Sequence, residues 1–540
     1  MDFRVGKNNY LRLSLIAFFT AFFLFFFFYP LAIVLLKSIS LNQNSFSDFI
    51  SILVENKTLI WNSFYQASIS TIFSLLVGIP AAYLIARKDF PGKKIVKAIS
   101  LVPFVFPSVL VVLAFVILLG NNGWVNSILK NLFGFHIQFL YGFLGIILAH
   151  VFFNFPIVMR FVSSSWENLD VKMKESAKTL GANNFDVFLR ITLPQLLPSI
   201  IASASLVFIF CFTSFAIITT LGGLQFSTLE VEIYRQILRN LDFATGAFFA
   251  LFQFIVLSII ASLYFYFSKK HSVSQKSNRE PLSKFNFSSL RGIAEFSFLI
   301  FIIVIALLPI FAIAVFAFFD PSTGDFTLRA FEKIFSVSNV TLFETNAITA
   351  VLLSLFLAFF AALVSSFLGL IASLKQTNVP FVNFFASCSI AVSVITLAFG
   401  YYLGFGSGQL LIIAIGHSIL AFPFAFRIIN NALLQVDSES IDSAKTLGAD
   451  DVSVFIKIQF PRIKKALIAS MAFAFAISLG ELGLVLVLYD GIFATMPVYI
   501  YRLISTYDLF AAGAMGFLLF AFSFIAFYAI EFFSNDAEVF

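Results

Sequence analysis

Two short polar runs hold the residues whose types and spacing could act on a partner. Glu175-Ser176-Ala177-Lys178-Thr179-Leu180-Gly181-Ala182 returns 267 residues later as Asp442-Ser443-Ala444-Lys445-Thr446-Leu447-Gly448-Ala449. After nine intervening residues each Gly is followed by a second fixed point, Ile191-Thr192-Leu193-Pro194 and Ile458-Gln459-Phe460-Pro461. These are the ingredients of a docking surface. Glu175 and Asp442 are expected early in a short helix, where the dipole favours a carboxylate. Ala177 and Ala444 permit close approach, and Gly181 and Gly448 let the chain leave the helix left-handed. Pro194 and Pro461 suit the start of the helix that follows. Simple capping by the two acids would not preserve the Gly-to-Pro spacing twice, so coupling to a partner is the preferred reading.

Inside the apolar stretches, Glu481 is the one carboxylate expected near the middle of a helix. Such a group is costly in lipid and normally faces a cavity or a partner. It could be a counter-charge to cargo, a gate or a bond between helices. Asn154, Thr213 and Ser214 are weaker candidates for the translocation path or gate, since amides and hydroxyls often bond across helices in a bilayer. His150 and His417 hold equivalent positions, but two single histidines do not make a metal site; each is expected to hydrogen-bond a neighbouring helix. The loops hold no Ser/His/Asp or metal-ligand constellation and no Gly-x4-Gly-Lys-Ser/Thr phosphate loop. A non-catalytic subunit with no metal or cofactor of its own is expected, its energy coming from elsewhere.

The elements that must position these residues are membrane spans. The 540 residues are 60% hydrophobic and 11% charged, with a mean hydropathy of +0.98, against about 25% charged for a soluble domain. A bilayer core needs about 20 apolar residues per helix. Windows of that length predict an all-α polytopic protein of about twelve spans: 11–36, 63–86, 98–119, 141–163, 198–220, 246–268, 293–319, 346–374, 383–405, 409–431, 465–488 and 508–532. The first is too long for a secretory signal. With the N-terminus inside, 26 of the 34 Lys and Arg fall in inner segments, which puts both termini and both repeated loops in the cytoplasm. That bias accounts for the net charge of +6 without nucleic acid. Cys211 and Cys388 are read as packed small residues, and the 78 Phe, including Phe25 to Phe28, as apolar filling.

The repeat is wider than the loops. At the same offset His150 matches His417, Pro156 matches Pro423, Arg160 matches Arg427, and Ile233-Tyr234-Arg235 matches Ile500-Tyr501-Arg502. The expected organisation is a six-helix half at 1–268 with its loop at 165–197, a polar linker at 269–292, and a six-helix half at 293–540 with its loop at 432–464. An even number of spans per half makes this a parallel repeat.

At this point a family resemblance is carried by the residues. The two loops resemble the EAA motif of permease subunits in binding-protein-dependent ATP-binding-cassette (ABC) importers. Leu148-Ala149-His150-Val151-Phe152-Phe153-Asn154-Phe155-Pro156, Cys211-Phe212-Thr213-Ser214-Phe215-Ala216, Leu221-Gly222-Gly223 and Ser478-Leu479-Gly480-Glu481-Leu482-Gly483 resemble the fused permeases of bacterial thiamine and thiamine pyrophosphate importers. One departure stands out: a member of that family has Asp where this chain has Glu481, a swap that keeps the charge. The resemblance implies a type I ABC importer with the MetI-like permease fold in the bacterial inner membrane. It also implies two copies of a cytoplasmic ATPase that bind ATP-Mg, an extracytoplasmic solute-binding protein meeting the outer loops at 221–245 and 488–507, and thiamine or its phosphates as cargo. A thiazolium could use Glu481 as counter-charge. Oxyanion permeases of the superfamily have a similar Gly-Glu-Phe-Gly here, which favours gating. Two alternatives stand: a ferric-iron importer permease, and a twelve-helix secondary transporter. The latter would place several ionisable residues inside its spans and would not need twin cytoplasmic loops.

Overall fold

The computed structural model describes residues 2–39, 46–93, 96–97, 103, 106–223, 226–271, 282–320, 323–336, 346–374, 385, 388–491 and 494–534. Among the described residues the regular elements are helices, with two isolated bridges and no strand. Residues 272–281 of the expected linker, 98–102 of the expected third span and most of 375–387 lie outside them.

The first half runs α1 (Leu13–Ser38), α2 (Lys57–Arg87), α3 (Ser108–Leu119), α4 (Phe143–Glu167), then a short surface helix α5 (Val171–Thr179). It continues through α6 (Leu193–Phe212), α7 (Ala216–Leu221), α8 (Leu229–Arg235) and α9 (Phe243–Ser268). The second half runs α10 (Leu290–Phe318), α11 (Ala347–Ser373), α12 (Val394–Phe405), α13 (Leu410–Leu434) and the surface helix α14 (Ser438–Thr446). It ends with α15 (Phe460–Leu479), α16 (Gly483–Leu488), α17 (Met496–Ser505) and α18 (Leu509–Ser534).

Ten helices among the described residues are long and apolar enough to cross a bilayer, against twelve expected spans. The two that differ have physical reasons. α12 has 12 residues, which reach only about 18 Å at 1.5 Å per residue; α15 carries Arg462, Lys464 and Lys465 in its first turns. The expected spans 198–220 and 465–488 are each broken near their outer ends, α6 from α7 at Thr213–Phe215 and α15 from α16 at Gly480–Leu482.

Small residues set the packing. Along α2, Ser63, Ala67, Ser70, Ser74 and Gly78 form a buried seam, the composition that lets backbones approach in a membrane. A Cβ added at Gly78 would lie 2.6 Å from Val158 Cβ on α4, and one at Gly369 on α11 would lie 2.9 Å from Phe426 N on α13. Ser63 Oγ accepts from Leu229 N, as Ser354 Oγ does from Met496 N, both at 2.8 Å. These contacts match α2 to α11 at an offset of 291, while their partners keep 267: Met496 for Leu229 and, for Val158, Ala425, whose C lies 3.1 Å from a Cβ added at Gly369. The repeat therefore extends upstream of the ungapped stretch, hidden by a shorter connection in the second half. Gly78→Val and Gly369→Val are expected to overpack these crossings and to cost about 1–3 kcal/mol each. Thermal unfolding of the detergent-purified protein checks this, and unchanged melting of both variants would refute such close approach.

Packing partitions the chain differently from the sequence halves 1–268 and 293–540. One compact unit comprises Met1–Asn42, Ile233–Leu251 and Ala317–Phe540; the other comprises Gln43–Glu232 and Phe252–Phe316. In the first unit, α1 lays Phe19 and Phe23 against Phe422 and Phe385, with ring centroids 4.8–6.0 Å apart, and Tyr401 donates to Phe26 O at 2.8 Å. The Phe-rich stretch is thus a packing seam, buried at Phe19, Phe23 and Phe27, with offset or edge-on ring pairs. In the second unit α10 packs on the end of α2: Lys88 Nζ lies 2.6 Å from Glu295, Arg291 donates to Tyr83 at 3.3 Å, and Ser283 N donates to Arg87 O at 3.0 Å. Trp124 meets Phe311 and Phe316.

Candidate functional site

The two repeated loops fold alike, residue by residue. Asp170 caps α5 by accepting from Lys172 N at 3.0 Å; Asp437 caps α14 by accepting from Glu439 N and Ser440 N at 3.1 and 3.2 Å. The Ser440 hydroxyl first, then the Glu439 amide, hold the Asp437 carboxyl below the usual carboxylate range. Because these aspartates are the caps, Glu175 and Asp442 sit at mid-helix and are exposed. The expectation that they lie early in their helices is corrected, and capping is thereby removed as their role.

Each helix ends in a Schellman motif. Gly181 N donates to Lys178 O and Ala182 N to Ala177 O, both at 3.0 Å, and Gly448 and Ala449 repeat both bonds at the same length. The glycines take φ of +86° and +88°, the left-handed conformation that this motif needs and that a side chain resists. Open space surrounds both positions. Just before them stand Leu180 and Leu447, 88% and 89% exposed. An aliphatic side chain is thus held out at matching positions of both loops. The sequence reading passed over these leucines, although an apolar residue preceding the C-terminal Gly of an otherwise polar helix was the available signal.

From the Gly the chain passes through a second capped turn, where Asn183 accepts from Asp186 N at 2.8 Å and Asp450 from Ser453 N at 3.4 Å. It then enters α6 and α15 through π-turns at Phe188–Thr192 and Phe455–Gln459. Leu193 N bonds Phe188 O and Phe460 N bonds Phe455 O, five residues back. Pro194 and Pro461 follow at once, where a missing N–H costs least. The spacing from Gly to Pro thus encodes a widened turn, a feature frequent at functional sites.

Glu481 is not at mid-helix. It lies in the break between α15 and α16, and its Oε1 accepts from Leu484 N at 3.0 Å, capping α16. Ser214 holds the matching break in the first half, where Thr213 donates back to Ile209 O at 2.9 Å. Asn154 is buried on α4, donating to His150 O at 2.9 Å with Cys211 Sγ at 3.4 Å; it is thereby brought beside the stretch that ends in Thr213. As expected, each histidine bonds a neighbouring helix: His150 Nδ1 lies 3.1 Å from Ser70 Oγ, and His417 Nδ1 lies 2.7 Å from Ser478 Oγ. Glu481 is also not the one carboxylate inside the protein. Glu230, in the loop region taken as an outer contact, is fully buried and accepts from Gln253.

Residues 74–272 match the family described as the inner membrane component of binding-protein-dependent transport systems. The chain is 28% identical over 470 residues to the thiamine transport system permease protein ThiP of Haemophilus influenzae, covering 83% of each. It is 25% identical over 482 residues to ThiP of Escherichia coli K12, covering 87% of each. A shorter stretch of 142 residues, 26% of this chain and 61% of the other, is 37% identical to the molybdenum transport system permease protein ModB of Escherichia coli K12. The chain is a fused two-half, multi-pass permease of the inner membrane, carrying the binding-protein-dependent transport domain.

Proposed function

We propose that this chain forms the path by which thiamine enters the cytoplasm in an ABC importer, driven by a separate ATPase and fed by an extracytoplasmic solute-binding protein. One observation carries the coupling: two surface helices with the same cap, the same Schellman exit and the same exposed leucine. Two identical knobs on one chain ask for two identical sockets, hence two copies of one ATPase per permease. Glu175, Ala177, Gly181, Pro194 and their matches Asp442, Ala444, Gly448, Pro461 form each contact with Leu180 and Leu447. Both termini and both loops face the cytoplasm, where Lys and Arg concentrate, and ATP-Mg is held by the ATPase. The cargo assignment is supported by similarity to thiamine permeases over most of both chains. Glu481, with Thr213 and Ser214 at the matching break, belongs to the gate.

The test is reconstitution with the candidate ATPase and binding protein. Native mass is expected to give one permease, two ATPase chains and one binding protein, and vesicles are expected to accumulate radiolabelled thiamine but not ferric iron upon ATP addition. Two permease chains per complex would sink the coupling assignment, and iron uptake without thiamine uptake would sink the cargo assignment.

A further inference from the structure

The two halves differ in their buried interiors, and the difference is polar. In the unit formed by residues 43–232 and 252–316, fully buried polar groups recur on α2, α4, α8 and α9 and are bonded pairwise. His150 meets Ser70 on α2; one turn along, Gln66 Nε2 donates to Cys211 O at 2.8 Å. A further turn along, Ser63 accepts from Leu229 N. The next residue, Glu230, accepts from Gln253, and Asn154 joins them through Cys211. The second half, matched at offsets of 291 and 267, replaces most of them: Leu357 for Gln66, Ala361 for Ser70, Ala421 for Asn154, Pro497 for Glu230 and Phe520 for Gln253. Helix packing alone does not need these groups, since the second half packs the same helices without them.

The amide atoms left unmatched here are acceptors, alongside His150 Nε2 and the hydroxyls of Ser227 and Thr228, which are also buried without a partner among the described residues. Gln66 Oε1, Asn154 Oδ1 and Gln253 Oε1 are buried without a hydrogen-bond partner among the described residues, and Glu230 adds a carboxylate. Buried acceptors left unmatched are costly, and such acceptors in the same interior as a carboxylate suit a cation that also carries N–H donors, while repelling anions. Thiamine has that chemistry: a thiazolium whose charge cannot be lost by deprotonation, and an aminopyrimidine with an N–H donor pair. A permanent cation crossing a low-dielectric interior requires a fixed negative partner.

We propose that Glu230, with the amide oxygens of Gln66, Asn154 and Gln253, is a buried cargo contact of this importer, and that it resides in the first half alone. This rests on the thiamine reading above. These groups are shut off from solvent in the conformation described, so they meet cargo when the helices part during the transport cycle.

The experiment uses the whole complex in proteoliposomes and reads radiolabelled thiamine accumulated per ATP hydrolysed. Glu230→Gln, which keeps size and hydrogen bonding but removes the charge, is expected to lower that ratio at least tenfold. Gln66→Leu and Asn154→Ala, which install the second half's residues, are expected to raise the half-saturating thiamine load several-fold. Control substitutions in the second half, Leu357→Ala and Phe520→Leu, report what loss of packing alone does. An unchanged ratio in Glu230→Gln, or a parallel fall of uptake and hydrolysis in it, would overturn the proposal, the second outcome marking Glu230 as a residue that only positions α8. Should Glu230→Gln fail to assemble, an unshifted thiamine dependence in Gln66→Leu overturns it equally. A parental complex that hydrolyses ATP but moves no thiamine would instead sink the cargo reading.

Discussion

Leu180→Asp combined with Leu447→Asp is expected to abolish ATP-driven uptake while leaving the permease folded and inserted. Both leucines are almost fully exposed, so their replacement removes no packing within the chain, and surface changes of this kind usually move stability by less than about 0.5 kcal/mol. In a socket the balance reverses. Burying a leucine is worth about 1.5–3 kcal/mol, and an unpaired carboxylate in its place adds a desolvation cost on top. A loss of about 3 kcal/mol per site is roughly a hundredfold in affinity, incurred at both sites. Each single variant should retain partial co-purification of the ATPase through the untouched loop. Gly181→Val and Gly448→Val should act alike for another reason: a β-branched residue strains a φ near +87° and would turn the leucine out of position. If the double aspartate variant binds ATPase and transports at the parental rate, these helices are not the couplers.

The loops were legible because their features are local. A left-handed Gly and a Pro at the start of a helix each leave a mark within a few residues, and the copying of both at one offset raised them above chance, whereas the caps were sought at Glu175 and Asp442 and lie at Asp170 and Asp437. What the sequence hid was anything set by which helix lies beside which. Glu230 reads as an ordinary loop acid next to Glu232, and its burial depends on Gln253, 23 residues on. The upstream repeat was masked because Gly78 and Gly369, though packed alike, sit at an offset of 291 rather than 267. The exchange of opening helices between packing units could not be read either. Hydropathy places α1 and α10 in the bilayer but does not say that Phe23 faces Phe422 or that Glu295 meets Lys88. Span windows also ran through the breaks at Thr213–Phe215 and Gly480–Leu482, since hydropathy averages over a helix end that hydrogen bonds define.

Those breaks decide what Glu481 does. As a cap it needs an acceptor, not a charge, because its Oε1 takes the N–H of Leu484 at 3.0 Å and a glutamine oxygen can do the same. Glu481→Gln is therefore expected to keep uptake within about threefold of the parent. Glu481→Leu has no acceptor and loses a cap worth about 1 kcal/mol, with the freed N–H left in an apolar setting. It should lower the melting temperature and cut uptake by an order of magnitude. A counter-charge to a permanent cation would behave differently, since truncating one partner of a desolvated pair costs about 2–5 kcal/mol, and both variants would then fail together. The two acids thus divide the work between the halves: buried Glu230 supplies charge among the first half's unmatched acceptors, and half-buried Glu481 fixes the start of α16 where the first half manages with Ser214. Uptake of radiolabelled thiamine by Glu481→Gln at saturating binding protein separates these roles. Loss of uptake there, with binding-protein-stimulated ATP hydrolysis intact, would move the counter-charge from Glu230 to Glu481.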